Sequence, residues 1–235
     1  MRALRGFRAF GKPLLWSAMA LGAAVIGWAS LVYFNDDDLP PFMVEKLPLP
    51  FEDAWMAALR VHVVAAVFAL TASLLLTTKW VLRRAPRLHR WLGRTTGVVV
   101  LFALAPSGFY LSFFARGGTP ATLGFILSGL IVVVAMVQGI RTARAGDFVA
   151  HRRNGLHVLA QLSVAVSSRL MLLGFDALSV DPERAYLVSL WLPVIAGVVL
   201  VELLVPRLPH SRRPHVPMLE LRLVDGSDPG LRRAA

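Results

Sequence analysis

Residues Leu123–Ile140 read LGFILSGLIVVVAMVQGI, eighteen positions without one ionisable side chain. A helix of that length is about 27 Å long at 1.5 Å per residue, close to the roughly 30 Å of a bilayer's hydrocarbon core. A helix on a soluble protein of this size keeps a polar face; this stretch is apolar all round. It is therefore a membrane-spanning helix, and five more segments of the same kind surround it: Pro13–Phe34, Ala54–Thr78, Gly97–Ala115, Leu156–Ala177 and Ala185–Val205. Composition agrees, with 56% hydrophobic and 17% charged residues against a soluble norm of about 45–50% and about 25%. The fold class predicted is all-α, a polytopic transmembrane bundle of about six helices.

No long polar linker divides the spans, so they form one membrane domain. Along the chain this gives an N-terminal anchor helix and outer loop (1–53), a four-helix core (54–178), a sixth transmembrane helix (179–205) and a polar tail (206–235). The first helix has the basic start of a signal peptide, but its apolar run exceeds the usual 7–15 residues. Trp28, Tyr33 and Phe34 read as an interfacial belt, so an uncleaved anchor is expected. Asn35–Asp53, with Pro40, Pro41, Pro48 and Pro50, is expected to be an extended flap. The tail after Pro206 is expected to be mobile.

A formal charge of +11 would suggest nucleic acid in a soluble protein. Here the charges sit at helix ends, and no nucleic-acid partner is expected. Twenty of the 25 Lys and Arg residues fall on one side: Arg2 to Lys12, Lys79 to Arg94, Arg141 to Arg153 and Arg207 to Arg233. The other side has Lys46, Arg116 and Arg184 among eight acidic residues from Asp36 to Glu183. By the positive-inside rule both termini are cytoplasmic, in a bacterial-type inner membrane, with lipid as the immediate partner.

Cysteine is absent, which removes thiolate metal sites and covalent haem attachment. Any metal would rest on His, Met or carboxylate. Ionisable groups inside spans cost on the order of 2.5–3.5 kcal/mol for Arg at a helix centre, so each asks for an explanation. Arg60, His62, Arg169 and Glu202 stand out. His62 and Arg169 lie about two turns inside the same face and would share a cavity if their helices adjoin. The plainer reading has Arg169 reaching the interface and His62 bonding a backbone carbonyl. Arg60 is expected to snorkel, and Glu202 to pair with a basic loop.

A second group gathers on the basic side. His89 sits in LHRWLGR at the opening of the third span, and His151 and His157 in HRRNGLH at the opening of the fifth. His89 and His151 are thus expected at similar depth. Imidazole is the natural cysteine-free ligand for haem iron or copper, and two facing rings are the minimum for a bis-histidine haem b. His151 and His157 are six apart, about 240° around a helix and about 9 Å along it, so both cannot face one iron. The competing reading is that these rings simply join Arg-rich helix ends at the headgroups. His210 and His215 lie in the tail and are read as incidental.

These segments, in this order, resemble the predicted membrane protein family called domain of unknown function 2306. The resemblance covers about Arg60 to Gly174: His62, then Leu88–Arg94, the turn Gly117-Gly118, Gly124-Phe125, His151-Arg152-Arg153 and the late Arg169. It implies a multi-helical membrane protein with polar His/Arg sites and supplies no reaction. The chain departs from the pattern at Asn154-Gly155, where Trp-Met is usual, and at His157, where Arg is usual. His157 would then serve as a proton or metal group, or the site is degraded.

Three functions follow. The first is a redox protein holding haem b or a metal through His62, His89, His151 and His157, with one station on each side. The second is a cofactor-free enzyme or lipid/quinone-binding protein, with His89, His151 and Arg169 as acid/base and anion-binding groups. The third is a non-catalytic subunit or assembly factor paired with another membrane protein. A transporter is disfavoured, although Pro106 with Gly108 would kink the third span.

Overall fold

Lipid offers a peptide group no hydrogen-bond partner, so each crossing segment closes its own ladder as a helix. The computed structural model describes residues 2–35, 49 and 51–205, apart from the side chains of 2–15 and 204. Among these residues there is no strand, and six helices are long and apolar enough to cross a membrane: Trp16–Phe34, Glu52–Leu76, Pro86–Ser112, Gly118–Arg144, Phe148–Ala177 and Pro182–Leu203. Most of the proline-rich flap, the polar tail, His210 and His215 lie outside the described residues.

Helix ends depart most from expectation at the third and fifth spans. Both begin about ten residues earlier than the apolar runs suggest, at Pro86 and Phe148. Arg87, Arg90 and Arg94 recur at helical spacing, so a polar helix end continues through the headgroup layer on one face. Pro86 stands at the first helical position of the third span, where a missing N–H costs nothing. Asp147 caps the fifth by accepting from Ala150 N at 3.0 Å. A short helix, Lys79–Arg84, bridges the second and third spans.

The fifth span is the hub. It packs on the fourth, sixth, second and first, whereas the third touches only the second and fourth. Third and fifth stay more than 8 Å apart, Cα to Cα, over their whole length. A core of Ala23, Ala65, Ala69, Leu70, Leu74, Val100, Leu104, Val132, Val158 and Val166 joins five of the six spans through their small and branched residues. Without a hydrophobic force between helices in lipid, such close packing is what holds them. Gly197 illustrates it: a Cβ there would lie 3.3 Å from Ala160 Cβ and 3.4 Å from Gln161 Nε2.

Two spans are irregular. The third makes a π-helical turn at Val100–Leu104 just before Pro106, which has no N–H to continue the ladder. The fifth breaks at Ser163, between Phe148–Leu162 and Val164–Ala177.

Gly197→Leu should lower the thermal midpoint in detergent by the equivalent of about 1–3 kcal/mol, the usual range for overpacking. Gly155→Ala, whose added Cβ meets nothing within 4 Å, should stay within about 0.5 kcal/mol. Fluorescence-detected unfolding of the two variants checks this; equal midpoints would mean that the fifth and sixth spans do not pack as described.

Candidate functional site

Sequence position put His89 and His151 at one level, and the structure brings their rings near enough to interact electrostatically. They come from the third and fifth spans, whose backbones nowhere approach within 8 Å. The second and fourth spans each pack on both of these helices.

His151 is held from the fourth span. Its Nδ1 donates to the Gly139 carbonyl at 2.8 Å, and Gly139 leaves room for this because its side of the fourth helix meets His151 and Asn154 directly. A ring that donates through Nδ1 carries its lone pair on Nε2, the arrangement that a second-shell carbonyl imposes on ligating histidines. His89 is the complement. Its Nδ1 is buried and has no hydrogen-bond partner among the described residues. Burying such an atom unsatisfied costs on the order of 1–3 kcal/mol, which makes it conspicuous. No group of three or more His, Cys, Asp or Glu is assembled among the described residues.

His157 turns to another face of the fifth helix. Its Nε2 lies 2.9 Å from Glu202 Oε1, and Arg153 Nη2 binds the other carboxylate oxygen, Oε2. Among its partners Glu202 thus counts two side chains of the fifth helix. One turn deeper, Gln161 is nearly inaccessible at 3%. It donates to the Val194 carbonyl at 3.0 Å and accepts from Ser128 Oγ at 2.9 Å, tying together the fourth, fifth and sixth spans. Sequence reading missed Gln161 and Arg153 as members of this set. The signal was present: 153, 157 and 161 recur every four residues, the spacing of one helix face.

His62 and Arg169 do not meet. The second span makes no approach to Val164–Ala177 within 8 Å, and the first span lies against that segment instead. Arg169 is exposed and donates to the Ala165 carbonyl of its own helix at 2.8 Å. His62 packs against the third span, near the Leu104 carbonyl. Ser107 Oγ gives its proton to the Ala103 carbonyl at 2.6 Å and accepts from His62 Nδ1 at 3.2 Å. Its ring edge occupies the room left by Gly108, where a Cβ would fall 3.0 Å from His62 Cε1. No second imidazole accompanies it among the described residues, so the geometry gives it no bis-histidine station. Arg60 Nε donates to the Tyr33 carbonyl at 3.0 Å and its guanidinium covers the Phe34 ring at 5.9 Å, pinning the first span to the second.

The chain belongs to the predicted membrane protein family DUF2306, whose sequence model matches residues 59–205. The match runs past Gly174 to take in the sixth span, and with it Glu202. No curated protein and no solved structure matches. Membership therefore establishes a helical membrane protein and leaves the chemistry to the residues.

Gln161→Leu should destabilise the protein by about 1–2 kcal/mol, two interhelical hydrogen bonds at membrane values. Ser128→Ala removes one of the two and should lose about half as much. Thermal or denaturant unfolding in detergent measures both; no loss for either would remove Gln161 from the interhelical network.

Proposed function

We propose that this DUF2306 member is a membrane redox protein in which His89 and His151 hold a haem b. The observation that supports this best is the pair itself: two imidazoles from helices that do not touch, one with its tautomer set by a carbonyl and one with an orphaned buried nitrogen.

The donor set favours haem over a bare ion. A structural zinc or copper site draws three or four ligands from the protein, whereas a haem brings four equatorial nitrogens and asks for two axial ones. His151 would offer Nε2 and His89 the nitrogen that faces inward. Arg87, Arg90, Arg94 and Arg152 lie in the neighbouring helix turns and are suited to the two propionates as charge-assisted donors. A bound haem would supply one-electron chemistry, and His89, His151 and the neighbouring cations would set its potential. The Gly139 carbonyl raises the basicity of His151 as a ligand and fixes its orientation. By the charge asymmetry of the loops, the site faces the cytoplasmic side of a bacterial-type inner membrane.

Protein from haem-replete cells, purified in detergent, should show a Soret band that sharpens and shifts on dithionite reduction. His89→Ala and His151→Ala should each abolish it, while His62→Ala should retain it. Absence of both a Soret band and stoichiometric metal in the folded wild-type protein would overturn the reading. Loss of the band in His62→Ala, with the fold intact, would instead move the site to the other half of the membrane.

A further inference from the structure

The fifth helix carries a second polar row that the imidazole pair does not use. Arg153, His157 and Gln161 face the sixth span, and the first two share Glu202. We infer that His157, Glu202 and Arg153 form a proton-binding site between the fifth and sixth spans, loaded from the Lys/Arg-rich side of the membrane.

The site is built in the manner of a carboxylate-oriented imidazole. Glu202 Oε1 takes the hydrogen of His157 Nε2, so in the neutral ring the lone pair is on Nδ1. That Nδ1 is buried and has no hydrogen-bond partner among the described residues, and the same holds for Arg153 Nε. Arg153 and Glu202 cancel each other's charge, so the neutral cluster carries none; a proton on Nδ1 makes the cluster a cation. Glu202 then changes from the acceptor of a neutral donor to the counter-ion of an imidazolium, which holds the added charge where bare hydrocarbon would not.

Access is graded. Side-chain exposure is 30% for Glu202, 23% for Arg153 and 12% for His157, and Gln161 beyond them is closed at 3%. A proton therefore reaches His157 past the two ionic groups, and the row ends at an amide already engaged on both sides. Among the described residues, the surrounding spans place their other ionisable groups away from this level. The second span has its ionisable groups, Glu52, Asp53, Arg60 and His62, in its opposite half; the fourth has Arg141 and Arg144 in its last turn; the sixth offers Glu202 alone at this level. On the fifth helix itself, His151 and Arg152 lie a turn or more toward the basic end. An Arg at position 157 would clamp Glu202 permanently. Histidine is the side chain whose charge changes between about pH 5 and about pH 8.

The inference does not depend on any ligand between His89 and His151. Its test is nitrogen NMR of the full chain, labelled at the imidazoles, in lipid nanodiscs, with the His157 signals assigned by their loss in His157→Gln. The ring should pass from a single neutral tautomer, protonated at Nε2, to the doubly protonated cation between about pH 8 and about pH 5. In Glu202→Gln the midpoint should be displaced by about one pH unit or more. If that variant fails to fold, Arg153→Gln must displace it instead. A ring that keeps one protonation state across the range, or a midpoint unmoved in the folded variant, would overturn the proposal and leave a purely structural clamp.

Discussion

A peptide group inside hydrocarbon can place its hydrogen bond only within its own helix, and everything else in this protein follows from that constraint. It turns six apolar runs into six rods. It also makes each departure from regular helix a local problem needing a named solution. Pro106 interrupts the third ladder, and the chain answers with a π-turn, a Ser107 hydroxyl returned to the Ala103 carbonyl, and His62 laid against both. On this view His62 serves the backbone. The same constraint explains Gln161, whose amide is acceptable at the centre of the bundle because both its ends are engaged.

Polar chemistry is concentrated on one helix. The fifth span presents His151 toward the fourth and Arg153, His157 and Gln161 toward the sixth, two faces separated by the geometry of 3.6 residues per turn. One imidazole is oriented by a carbonyl and the other by a carboxylate. A ring whose N–H is held by a neutral carbonyl leaves the lone pair of its other nitrogen for ligation, and a ring whose N–H is held by an anion has a counter-ion ready for an added proton. The two proposals thus assign different chemistry to rings of the same type, on the ground of what each ring's second nitrogen touches.

Much of the architecture was legible because membrane insertion is a one-dimensional problem. Span number, and the level of each histidine along the membrane normal, depend on counting residues. Lateral neighbours are not encoded that way. His62 and Arg169 have matching depth, yet the first span occupies the place beside Val164–Ala177 that the second would need. Helix ends were hidden for another reason: the arginines flanking Trp91 look like a loop to a hydropathy reading, although their spacing continues a helix.

By itself, then, the amino-acid order determined that the chain is an α-helical membrane protein, how many times it crosses, and which side carries the cations, since hydrophobic length and charge act on each segment independently. Only the tertiary structure decided which polar groups share a neighbourhood. That His89 comes within electrostatic reach of His151, that Glu202 meets both Arg153 and His157, and that Arg169 stands outside all depend on helix rotation and order in the plane. Those are set by the close fit of small residues such as Gly139, Gly108 and Gly197 against particular partners, a cooperative property of the packed bundle that no single segment contains.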